Sequence, residues 1–153
     1  MKIAIASDHA AVDERLSVIE ALRAAGHDVT DHGCAAGESV DYPDYAEKVA
    51  HDVQAGRAER GLLICGTGIG ICMAASKVAG IRAATISDPW SAEMTRRHND
   101  ANVGCFGARI HSAAAIARMA QIFLDTPFEG GRHQRRVDKI MALENEGAER
   151  ASS

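Results

Sequence analysis

"GLLICGTGIGICMAASK", residues 61–77, decides the fold. An apolar run ends in Cys65, glycines follow at 66, 68 and 70, and an apolar, glycine-free stretch comes next. That order reads as a buried strand, a tight glycine turn and a helix.

The same grammar recurs on both sides of it. Short β-branched or apolar runs lie at "KIAIAS" (2–7), "HDVTDH" (27–32), "IRAATIS" (81–87) and "NVGCFG" (102–107). Helices are expected between them, near 10–25, 43–55, 69–79, 90–98 and 111–124. The first spaces Val12, Leu16, Ile19 and Leu22 by three or four residues and stops at "AAGH" (24–27). Five strands alternating with helices imply an α/β three-layer sandwich around a five-stranded parallel sheet. The expected order is 2-1-3-4-5, Rossmann/flavodoxin-like, with an extra C-terminal helix over 132–146. Residues 1–147 are expected to form a single domain, and 148–153 a disordered polar tail.

Composition sets the outer limits. The chain has 153 residues, 46% hydrophobic and 25% charged, with a net charge of −4. These values fit a globular protein and argue against nucleic acid as the main partner. No run reaches the roughly eighteen apolar residues of a membrane span. The start, "MKIAIASDHAA", lacks a secretory pattern, so the cytoplasm is expected. Cys34, Cys65, Cys72 and Cys105 form no CxxC, and the histidines form no HxH or HxxxH pair. Neither a disulfide framework nor a metal site is expected.

In this topology strands 1 and 3 lie side by side, and ligands bind beyond their carboxyl ends. Those ends carry "SDHA" (7–10) and "CGTGIG" (65–70). The glycines read GxGxG with Ile71 following, so the dinucleotide fingerprint fails, and no Walker GK[ST] follows. Three alternate glycines with Thr67 suggest amides bared toward an anion or oxyanion rather than a plain turn. Cys65 is then either a small apolar residue at a strand end or a thiol beside those amides. In the second case it serves as nucleophile or general base, a choice the residues leave open. A phosphatase loop is excluded because Ile71 stands where an arginine is needed, and Cys72 is too far along the chain for a redox pair.

Asp8 has an ordinary use as a helix cap. Beside the Cys65 loop, it and His9 become candidates for holding hydroxyls and a charged group. His98, Asn99 and Arg109 flank the fifth strand. Arg132, Arg135 and Arg136 open the last helix, where the macrodipole favours acids, so an anion is expected nearby. With Val137, Ile140, Met141 and Leu143 as the buried side, Arg132 and Arg136 share an edge suited to phosphate, and Arg135 points to solvent.

Taken together, "SDHA" (7–10), "DYPDYA" (41–46), "CGTGIGICMAASKVAGIRAA" (65–84), "TRRHNDANV" (95–103), "FGAR" (106–109) and "GGRHQRRV" (130–137) resemble the ribose-5-phosphate isomerase B family. Its wider group includes galactose-6-phosphate isomerase subunits. The resemblance implies cofactor-independent interconversion of ribose 5-phosphate and ribulose 5-phosphate, in the pentose phosphate pathway, through a cis-enediolate. It implies Cys65 as base; members with a glutamate early in the next helix differ, since Ile71, Cys72 and Met73 stand there. It implies His98 as proton donor in opening the furanose ring, with Thr67 and Asp8 assisting. Asp8, His9, Gly66, Thr67, Gly68, Ile69, Gly70 and Asn99 would bind the sugar, and His9, Arg109, Arg132 and Arg136 the phosphate. A homodimer or homotetramer with the site at the subunit interface is also implied. The alternatives are the same reaction on another sugar phosphate such as allose 6-phosphate, or on a free sugar, and a non-catalytic flavodoxin-like binding domain.

Overall fold

Apolar runs and amphipathic stretches resolve into twelve segments in the computed structural model, which describes residues 1–153. They are β1 (Lys2–Ser7), a 3-10 turn (His9–Ala11), α1 (Val12–Ala24), β2 (Asp28–Asp31), α2 (Tyr42–Gln54) and β3 (Arg60–Cys65). Then come α3 (Ile69–Ala75), β4 (Ala83–Thr85), α4 (Pro89–Asn99), β5 (Val103–Gly107), α5 (Ala113–Asp125) and α6 (Arg132–Ser152). All strand pairs are parallel.

Alternation along the strands feeds two cores. Ile3, Ile5, Leu62, Ile64 and Phe106 face Val18, Leu22 and Phe123 on α1 and α5. Ala4, Ala6, Leu63, Cys65 and Cys105 face Val49, Ala50, Ile71 and Ala75 on α2 and α3. The sandwich has the expected three layers.

The strand order is β2-β1-β3-β5-β4, which corrects the expected 2-1-3-4-5 at its last two places. β5 is buried along its whole length, whereas Ala83–Thr85 of β4 stay partly or fully exposed. The uniformly apolar strand takes the interior, and the short one with a threonine at its end takes the edge. The adjacency of β1 and β3, on which the switch point rests, is present.

Two helical faces also differ from expectation. Leu16 is 50% exposed, while Arg15 beside it is buried. Arg15 Nη1 donates to Ser7 Oγ at 2.7 Å, Nη2 to the Cys34 carbonyl at 2.8 Å, and Nε pairs with Asp31 at 3.0 Å. A buried charge is tolerable because these partners surround it. On α6 only Val137 of the apolar set is buried; Ile140 is 46% and Leu143 62% exposed. The residues from 148 onward continue α6 to Ser152, with exposed side chains.

Candidate active site

The ends of β1, β3 and β5 meet around an open cavity of about 260 Å³ lined by Asp8, His9, Ala10, Tyr42, Cys65, Gly66, Thr67, Gly70 and Arg109. It is smaller than cavities elsewhere on the surface, and it alone among those described collects the polar groups at the switch point.

Cys65 ends β3 and is 5% exposed. The Gly68 N–H donates to its Sγ at 3.1 Å. This contact requires a left-handed turn, and Gly68 has φ +78°. A Cβ there would also fall 2.8 Å from the Phe106 carbonyl carbon. Ile69 N–H donates to Thr67 Oγ1 at 3.2 Å, which leaves the hydroxyl hydrogen free for a ligand. Gly68 and Ile69 are thus occupied in shaping the loop and do not line the cavity. Gly66, Thr67 and Gly70 do.

The position of β5 brings in Arg109. Ala108 N–H bonds to the Cys65 carbonyl at 2.9 Å and Arg109 N–H to the Gly66 carbonyl at 3.0 Å. The Arg109 guanidinium then lies against Gly66, close enough that a Cβ would sit 3.3 Å from its Cζ. From β1, Asp8 Oδ1 caps the following turn by accepting from Ala10 N–H at 3.0 Å, as the capping reading expects. Its other oxygen is left for the cavity. His9 is fixed through Nδ1, which lies 3.0 Å from Val40 N and 3.1 Å from Val40 O, so Nε2 remains available.

Ala10 and Tyr42 line the cavity without having been expected as site residues, and Tyr42 is the one with a polar group to offer. Its ring covers Gly70 so closely that a Cβ would lie 2.7 Å from the phenolic oxygen. The available signal was its place at the start of α2, just before Pro43.

His98, Asn99, Arg132 and Arg136 are not brought to this cavity. They gather where α4 ends and α6 begins. Asn99 lines a separate cavity of about 420 Å³ with Arg82, Met141 and Glu144. The His98 ring stacks on His133 with centroids 4.3 Å apart and planes 9° from parallel. Arg132, Arg135 and Arg136 are all exposed. His98, Glu129 and His133 bring their ligand atoms within 4.8 Å of one another. Stacked imidazoles hold their lone pairs in parallel planes, however, so these do not converge on one ion as a tetrahedral site requires.

The other thiols have their own arrangement. A hydrogen bond with Cys105 lowers the Cys72 thiol to about 6 against the opposing effect of burial, with Thr85 and Ser76 assisting. Burial pushes the Cys105 thiol well up.

Comparisons with known proteins agree with one another. A family model described as Ribose/Galactose Isomerase matches residues 3–140. The putative sugar phosphate isomerase YwlF of Bacillus subtilis is 48% identical over 145 residues, 94% of this chain and 97% of the relative. Ribose-5-phosphate isomerase B of Escherichia coli is 43% identical over 143 residues, 94% of this chain and 96% of the relative. The solved structure of Clostridium thermocellum ribose-5-phosphate isomerase B superposes with a TM-score of 0.93 at 43% identity, covering 95% of this chain and 99% of that one.

Proposed function

The chain belongs to the ribose/galactose isomerase family, and from that premise we propose that it interconverts ribose 5-phosphate and ribulose 5-phosphate with Cys65 as the base. The observation that carries this reading is the Gly68 amide donating to Cys65 Sγ at the floor of a cavity shared with Asp8, His9, Thr67 and Arg109.

In the open-chain aldose, the Cys65 thiolate takes the proton from C2. The C–H electron pair forms a C1–C2 double bond, and negative charge settles on O1. The Thr67 hydroxyl and nearby loop amides stabilise this cis-enediolate, as preorganised donors do where charge develops. The Cys65 thiol then returns the proton to C1, and the O2 proton passes to O1 as the C2 carbonyl forms. Asp8, through its uncommitted oxygen, holds a sugar hydroxyl. His9 and Arg109 take the phosphate at the cavity rim.

Ribose 5-phosphate rests as a furanose, so its ring must open first. The C1–O4 bond breaks, O4 gains a proton and O1 loses one. His98 is the proposed donor to O4, Asn99 a sugar contact, and Arg132 and Arg136 complete the phosphate site. Within one chain the topology keeps these four from Cys65. α4 returns against the strand direction, so its last residues lie where the strands begin, while Cys65 lies where β3 ends. Six residues of β3 span roughly 20 Å. The site is therefore proposed to form between copies of this chain in a homodimer or homotetramer, one supplying the Cys65 cavity and the other the His98 end. The reaction belongs to pentose phosphate metabolism.

Cys65→Ala tests the base. In heavy water, wild type exchanges one C1 proton of ribulose 5-phosphate with solvent, and the variant loses this exchange by about a thousandfold or more. Undiminished exchange would overturn the assignment.

A further inference from the structure

His98 makes no hydrogen bond or ion pair in this structure, although a proton donor has to hold one orientation toward its acceptor. One neighbour covers the face of its ring. His133, on the first turn of α6, is 6% exposed and stacks face to face on His98, with centroids 4.3 Å apart.

His133 is itself held. Its Nε2 lies 3.3 Å from Glu129 Oε2, and Glu129 Oε1 accepts from Arg97 Nε at 2.9 Å. Arg97 Nη1 is paired in turn with Glu93 at 2.9 Å, and the Glu129 N–H donates to the Arg97 carbonyl at 3.1 Å. The chain of contacts thus leaves α4 at Arg97, crosses to the segment before α6, and returns to α4 at His98. It closes a loop around one imidazole and leaves that ring's nitrogens uncommitted.

We propose that His133 is a positioning residue for the isomerase reaction. Clamped by Glu129 and Arg97, it fixes the plane of the His98 ring so that a His98 nitrogen meets O4 of the furanose. The inference rests on the reading of His98 as the ring-opening donor.

The charges around the stack fit this division of work. Two facing imidazoles resist carrying two positive charges at once. Burial, then the neighbouring His98 and Arg132, lower the proton affinity of His133, with Arg136 adding to this and Glu129 opposing it. The charged form of His133 is therefore disfavoured, which suits the ring to serve as a platform. A buried histidine bonded to a carboxylate would ordinarily be read as packing. Its use here follows from the surface it offers, a flat face beneath a ring that makes no hydrogen bond of its own.

The two directions of the reaction separate positioning from structural damage. Ribulose 5-phosphate cannot close a five-membered ring because its O5 carries the phosphate, so exchange of its C1 proton needs Cys65 but no ring opening. Conversion of ribose 5-phosphate needs both. His133→Leu removes the flat face. It is expected to lower kcat for ribose 5-phosphate by about tenfold or more, with KM and ribulose 5-phosphate exchange within about twofold of wild type. His133→Phe restores the face and should recover kcat to within about threefold. Glu129→Gln, at an exposed position that leaves the core intact, should give a partial loss of the same kind.

Wild-type kcat in His133→Leu, no recovery in His133→Phe, or an equal loss of exchange would each overturn the proposal. Should His133→Leu fail to fold, an unchanged kcat in Glu129→Gln would overturn it alone. His98→Asn keeps the two layers of inference apart. If it converts ribose 5-phosphate normally, the donor reading itself fails. If it is slow while His133→Leu is normal, only the positioning role fails.

Discussion

Around Thr67 and Gly70, the residues that matter most are defined by what they lack. A Cβ on Gly107 would fall 2.8 Å from the Thr67 carbonyl carbon, whereas one on Gly70 would meet the Tyr42 side chain at 2.7 Å. The obstacles differ in kind. Tyr42 is 39% exposed and can swing away, but the Thr67 backbone is locked by its neighbours. Gly107→Ala is therefore expected to cost about 1–3 kcal/mol, as overpacking does, and Gly70→Ala distinctly less. Urea denaturation of both variants checks the ranking, which fails if Gly70→Ala is the worse. These glycines were visible in the sequence; what crowds them was not. The Gly107 contact comes from β5, far along the chain, and could be foreseen only with the strand order in hand.

Asp52, near the end of α2, ties that helix to the turn after β2. It accepts from Arg57 Nε at 2.7 Å and pairs with His32 Nε2. Burial alone would raise the Asp52 carboxyl, but the His32 and Arg57 bonds outweigh it and hold the group below its ordinary value. A carboxylate lowered on folding stabilises the fold above its unfolded value and loses that contribution as pH falls through the folded one. Asp52→Asn should thus lower stability by about 1–3 kcal/mol at pH 7, with the gap to wild type closing below about pH 4. Thermal melts across pH provide the check, and a gap that does not narrow as pH falls below about 4 would refute the cause given. The same scale explains the α1 correction. Val12, Ile19 and Leu22 carry a true helical period, and Leu16 fits the same step yet faces solvent. Arg15 displaced it inward because Ser7, Cys34 and Asp31 supplied partners from three separate segments. Periodicity records hydrophobicity and carries no record of such partners.

The proposed sharing of the site between copies makes a quantitative prediction for the assembled molecule. A Cys65→Ala chain and a His98→Asn chain should each lose activity toward ribose 5-phosphate. In a mixed dimer one site holds both substitutions and the other neither. Random mixing in equal amounts should then recover about a quarter of wild-type activity. No recovery, with mixed dimers confirmed by native mass spectrometry, would place the whole site within one chain. The α6 face belongs to the same scale. Ile140 and Leu143 follow an amphipathic period yet remain exposed in the single chain, so a pattern that looked like a core stripe has no intrachain core to enter.

The sequence by itself determined the α/β class, the alternation of elements, the switch point between β1 and β3, and the meeting of Asp8, His9 and Cys65 there. Those features depend on local periodicity, turn chemistry and a general rule of parallel sheets, all of which are written in consecutive residues. Only the tertiary structure decided that β5 lies inside β4 and so delivers Arg109 to Gly66. It also decided that Tyr42 covers Gly70 and that His98 rests on His133. Each of these joins residues distant in sequence whose pairing depends on which strand is buried and which helix crosses which, and neighbouring residues do not encode that choice.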